Sequence, residues 1–258
     1  MAINQSYVKA FLYDVMFGKN IKPGTVPVCM SVENHEDVLL AVKKAYIDMS
    51  PRTFKEKDKQ QSGVEKKDEI NRTKKDDLLK EVAQRISNYM KGASSAGFDI
   101  WHKELCDFFI DGTKETNGLR KLLEDANKDP NQATFGKAQK LVNMTFKYMY
   151  CFDDANQHID KFDMCHMPLD SYILDWFFDW YKEEWKKQYN EKMTKNGKNH
   201  LSAWSDLKYA KDPGDKIPQY KEIQSLIKQK LRNENVSCLE AEFVIWWEAR
   251  NKTSKYTY

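Results

Sequence analysis

Apolar positions recur at three- and four-residue intervals along most of the chain, the spacing that turns one face of a helix toward a core. Tyr7, Ala10, Phe11 and Val15 make the first stripe, within 6–17, and Gly18 closes it. Pro23, Gly24 and Pro27 punctuate the loop that follows, whose VPVCMSV portion reads as a short strand or an extended lead-in. Val38, Leu39, Val42, Ala45 and Tyr46 predict a helix over 34–49, with Asn34 as its cap, Glu36 and Asp37 in its first turn, and Ser50-Pro51 as its end. The period is then lost. Residues 55–80 carry nine basic and seven acidic side chains and almost nothing apolar before Leu78.

From Asp76 the stripe returns at Leu78, Leu79, Val82, Ile86 and Tyr89, and Gly92–Gly97 ends it. Further stripes predict helices at 98–110, 117–128, 137–152, from Ser171 to about Lys192, 219–231 and 238–250, with a helical turn within 201–209. The architecture expected is mainly α, a multi-helix globular bundle of about nine helices around a central helix-hairpin-helix-like unit. The charged stretch suggests the division: an N-terminal helical part (1–54), a charged loop or linker (55–75) and a main α-helical domain (76–258).

Composition narrows the classes. The 258 residues include only ten glycines and seven prolines, fewer than turn-rich β folds use. A net charge of +3 does not mark a nucleic-acid-binding chain without a local basic face. The five cysteines are scattered and form no CxxC pair, so neither a disulfide framework nor a zinc ribbon is expected. No stretch reads as a signal peptide or a membrane span, and the expected location is the cytoplasm. His158, Cys165 and His166 lie near Cys151, but adjacent residues rarely ligate one ion, and no metal site is expected. The chain lacks GxxxxGK[ST], a GxGxxG following a strand, and GxSxG, so no cofactor is expected either. The Trp176, Trp180 and Trp185 stripe suits base stacking or ordinary core packing.

Pro130–Phe178 is the least ordinary stretch. A helix ending near Lys128, the polar turn DPNQATFG and a second helix form a helix–turn–helix unit. Thr134 is a natural N-cap for that second helix, which would leave first-turn N–H groups free for an anion such as a phosphate. Gly136, Lys137 and Lys147, with Lys140, are the candidate contacts to a nucleic-acid backbone; the alternative is an ordinary αα-hairpin with solvent-facing lysines. Asp170 opens the next helix in a Pro-x-Asp-Ser context, which alone makes a helix cap.

GKAQKLVNMTF resembles the glycine-lysine-alanine opening of the second hairpin helix in the helix-hairpin-helix DNA glycosylase superfamily. HMPLDSYIL is similar to that superfamily's later segment, an apolar-Pro-apolar-Asp run that opens a helix. The resemblance implies DNA binding extending to base excision, with Asp170 as the essential carboxylate and Lys140 as the amine nucleophile of bifunctional members. It requires residues 153–164 to loop out between them. The competing expectation is a non-enzymatic α-helical protein-interaction module, of the kind phages and mobile elements encode, with a protein partner in place of DNA.

Overall fold

The computed structural model describes residues 30–49, 65–92, 97–195 and 199–254. It is mainly helical. The described residues hold nine α-helices and no strand, only an isolated antiparallel bridge between Gly112 and Asn117. They are α1 (His35–Met49), α2 (Glu65–Lys91), α3 (Phe98–Asp111), α4 (Leu119–Asp125), α5 (Phe135–Met149), α6 (Ile159–Asp163), α7 (Ser171–Tyr189), α8 (Tyr220–Arg232) and α9 (Cys238–Ser254). None of these helices is long and apolar enough to cross a membrane. The helix expected over 6–17 and most of the VPVCMSV portion lie outside the described residues.

Most stripes become helices within a few residues of the expected ends, for identifiable reasons. The Asn34 side chain accepts the N–H groups of Glu36 and Asp37 at 2.9 and 3.3 Å and starts α1. Asn190 adopts the left-handed conformation (φ 52°) and stops α7 before Lys192. Three differences stand out. Residues 65–75 of the charged stretch are helical and continuous with α2, so the expected linker 55–75 is helix in its second half. Residues 201–209 contain only a 3-10 turn, Trp204–Asp206. The insert after α5 folds into a second 3-10 turn, Ala155–His158, and the short α6.

α5 is the axis of the structure. Thirteen of its fifteen residues are buried, and only Lys137 and Lys140 reach partly to solvent. α1, α3 and the turn at 204–206 pack against it, α2 packs on α1, and α7 pairs with α9. Phe146 of α5 meets Phe98, Trp101 and Phe162 edge-on, with ring centres 5.7 to 6.4 Å apart. Burying one such ring stabilises the fold by roughly 1.5–3 kcal/mol. The lead-in at Met30–Val32 joins this core as extended chain. Asp153 accepts the N–H of Met30 (2.7 Å), and Asp154 takes the Ser31 hydroxyl (2.6 Å) and the Val32 N–H (2.9 Å).

A buried lysine closes α2. The last carbonyls of a helix have no partner within it. Here the ammonium of Lys161, on α6, donates to the carbonyls of Tyr89 (3.4 Å), Met90 and Gly92 (2.5 Å), using all three of its protons. The negative end of the helix dipole favours the same charge. Lys161→Met removes those donors and leaves three carbonyls short of a partner. Urea unfolding should report a loss of about 3 kcal/mol or more, and a loss below 1 kcal/mol would show that water replaces the ammonium.

Candidate functional site

The N-terminus of α5 is not open to a phosphate. Thr134 caps it as expected, accepting the Lys137 N–H at 3.3 Å. The Gly136 N–H donates to the Leu207 carbonyl at 3.0 Å, and a Cβ on Gly136 would sit 2.0 Å from the Trp204 carbonyl oxygen. Glycine is therefore required here by the close approach of the 204–207 chain, which occupies the place a phosphate would need. Lys147 is also placed differently from a backbone contact. It is 1% exposed, its Nζ lies 2.6 Å from the Glu242 carboxylate, and the rings of Phe243 and Trp246 flank it at 5.0 Å. Burial pushes the Glu242 carboxyl up, and Lys147 opposes that rise.

Lys140 and Asp170 make no ion pair within 4 Å, although Asp170 is one of the carboxylates whose field reaches the Lys140 amine. The Lys140 ammonium lies 4.3 Å from the centre of the Trp204 ring. Its pKa is lowered, first by burial, while the carboxylates of Asp170, Asp48 and Glu242 act in the opposite sense. Lys137 is lowered as well, again by burial, against Asp206. Asp48 anchors the α1 side of this cluster by accepting the Tyr148 hydroxyl and pairing with Lys44 at 3.1 Å. Asp170 meanwhile caps α7, its Oδ1 accepting the Ile173 N–H at 3.0 Å. The insert 153–164 between Lys140 and Asp170 is not a free loop: it folds as the 3-10 turn and α6, with Ala155, Lys161 and Phe162 buried. A partly desolvated amine within the field of a carboxylate can act as a nucleophile or a proton carrier.

A second polar constellation was not singled out in the sequence. It threads the core from α3 through α5 to the 165–170 segment and α8. The His166 Nε2 lies 2.7 Å from Asp99 Oδ1, and its Nδ1 lies 2.7 Å from the Tyr220 hydroxyl. Asn143 Nδ2 donates to the Tyr220 oxygen (2.9 Å) and to Gln139 Oε1 (3.0 Å), and Asn143 Oδ1 faces His102 Nε2 at 2.8 Å. The other His102 nitrogen is 3.8 Å from Cys106 Sγ. A carboxylate can only accept, so His166 Nε2 carries the proton and Nδ1 is the acceptor. Every remaining assignment follows. The Cys106 thiol donates to His102, His102 to Asn143, Asn143 to Tyr220, Tyr220 to His166, and His166 to Asp99. Two amides brace the assembly. Gln139 bonds the Leu169 carbonyl and N–H at 3.0 and 3.3 Å, and Gln224 does the same to Met167 at 2.6 and 3.1 Å. The available signal was the spacing of Asp99, His102 and Cys106, which places them on one helical face.

Burial pushes the Cys106 and Cys165 thiols well up, Cys151 to about 12 and Cys238 to about 11, so these cysteines are protonated and unreactive at neutral pH. Among the described residues no three His, Cys, Asp or Glu side chains are placed to hold a metal ion. Comparison with protein-family models, with curated proteins and with solved structures finds no match.

The relay makes stability pH-dependent. Burial lowers the pKa of His102 well below its ordinary value and lowers that of His166, although the Asp99 hydrogen bond opposes the change for His166. Above about pH 6.5 both rings are neutral folded or unfolded. Below it the unfolded chain takes up protons that the folded core refuses, so stability falls as pH falls. The His166 hydrogen bond holds the Asp99 carboxyl well below the usual carboxylate range, which adds a further loss below about pH 4. Urea unfolding should report lower stability at pH 5 than at pH 7.5, the loss below about pH 6.5 reaching up to about 1.4 kcal/mol per pH unit for each histidine. His102→Gln should flatten that slope. A midpoint unchanged over the interval would contradict neutral buried rings.

Proposed function

We propose that the protein is a non-catalytic α-helical interaction module. The observation that carries this reading is α9. Its sequence, CLEAEFVIWWEARNKTS, interleaves apolar residues with Glu240, Glu242, Glu248 and Arg250, so its apolar side chains are not confined to the face turned to the core. Cys238, Leu239, Ala241, Glu242 and Phe243 pack inward, whereas Val244 and Trp247, one turn apart, are 40% and 37% exposed. Trp246 and Arg250 stand beside them, with the guanidinium 5.1 Å from the indole centre. Tryptophan and arginine dominate the energetics of protein interfaces. Val244→Asp and Trp247→Asp together should leave the chain folded, with a lower unfolding midpoint because Trp247 is only 37% exposed. With the wild-type chain as bait, a stoichiometric protein should be captured that the double variant fails to retain. Identical captures by the two baits would reject the reading.

The DNA-binding, base-excising alternative draws support from the Lys140 amine, whose pKa burial lowers against the field of Asp170. In that reading the Lys140 amine attacks the aldehyde carbon of an abasic sugar, water leaves, and the resulting imine accepts hydride from borohydride to give a stable secondary amine. Borohydride should then trap the wild-type chain on an abasic duplex at low salt, and Lys140→Ala should abolish trapping. Asp170→Asn, which keeps the helix cap, should weaken it. The absence of any trapped species would remove this alternative.

A further inference from the structure

A groove of about 350 Å³ lies between the C-terminal half of α7 and the first turns of α8, closed on one side by the chain at 211–218. Tyr181, Pro218 and Leu226 form its apolar floor. Lys211, Lys216 and Lys221 form its rim. We infer that this groove binds a short acidic peptide segment, seating one apolar side chain on the floor while the flanking carboxylates meet the rim lysines. The inference rests on the interaction reading above and adds to it a second surface and the chemistry of its partner.

Charge favours such an occupant. Glu222 is an acid within the lining, and its carboxylate already accepts the Gln219 N–H (3.1 Å) in the α8 capping box and the Lys211 N–H (3.3 Å) from the neighbouring chain. Its carboxylate is turned to those N–H groups, and the three lysines of the lining outnumber it. Among the described residues neither Lys211 nor Lys221 has a carboxylate within 4 Å. Lys216 pairs with Glu191 at 2.6 Å, in an exposed contact that a competing carboxylate can exchange. The volume suits one side chain and its neighbours rather than a folded domain.

The aromatic side chains argue for a peptide over a single-stranded nucleic acid, which would need free ring faces for its bases. Tyr181 is already stacked on Phe177 at 4.8 Å, and Tyr189 leans on Trp185 at 4.4 Å with the Lys216 ammonium 5.4 Å from its ring centre. Acids also bound the cationic rim. Asp212 pairs with Lys208 at 2.5 Å, and Glu184 with Lys187 at 2.9 Å. A strand that carries a phosphate at every nucleotide would meet those carboxylates along its length.

Fluorescence anisotropy on the full chain tests this with three labelled probes. One is a peptide of about ten residues, glutamates around a central leucine; the second has lysines in place of the glutamates; the third is a decathymidine. The acidic peptide should bind, weaken with added salt, and lose about tenfold or more in affinity with Lys211→Glu/Lys221→Glu and with Leu226→Asp. The basic peptide should not bind. Val244→Asp/Trp247→Asp should leave acidic-peptide binding unchanged, because α9 lies outside the groove lining. No binding of the acidic peptide, equal binding by the groove variants, or tighter binding of decathymidine would overturn the inference. A chain that still captures its partner through α9 while ignoring the acidic peptide keeps the interaction reading and rejects this groove.

Discussion

A helix surrounded on every side must satisfy each polar side chain it carries, because an unpaired polar group in a dry interior costs about 1–3 kcal/mol. That constraint organises this protein. α5 brings Gln139, Asn143, Thr145 and Lys147 into the core along with its apolar residues. Each has a partner: the Leu169 backbone, the Tyr220 and His102 side chains, the Leu141 carbonyl at 2.8 Å, and the Glu242 carboxylate. Apolar packing alone would tolerate several rotations of α5 about its axis. The polar partners come from α3, α8, α9 and the 165–170 segment, so they admit one.

How far the fold was legible depends on what each segment shows to a periodic reading. The stripes at 34–49, 98–110 and 219–231 each bury one face and leave the other wet, so amphipathic spacing locates them well. Residues 65–75 have no apolar period, and their helix propagates back from the Leu78 stripe through good helix formers. α6 has five residues, too few for a period to register. In α5 the very residues that define its orientation, Asn143 and Lys147 above all, are types that ordinarily mark a solvated face. Their burial is a tertiary fact with no local signature.

The same division runs through the candidate chemistry. The cap role of Asp170 was readable in Pro-x-Asp-Ser, because capping is local. Its placement in the field of Lys140 depends on how α5, the insert and α7 are arranged, which no short motif encodes. Gly136 is the opposite case. It looked like a site for phosphate approach, and its lack of a side chain is indeed used for close approach, but by the Trp204 carbonyl of this same chain. Glycine reports that something comes near the backbone; it does not report what.

The Lys161 contact has a consequence for how the molecule comes apart. An ammonium cannot stay in a dry interior without acceptors, and a helix end cannot stay there with bare carbonyls. Lys161 and the 89–92 segment are 69 to 72 positions apart in the chain, yet neither is tolerable in place without the other. Loosening α6 therefore frays the end of α2, and fraying α2 expels α6. The two form one cooperative opening unit whose boundary cuts across the order of the sequence.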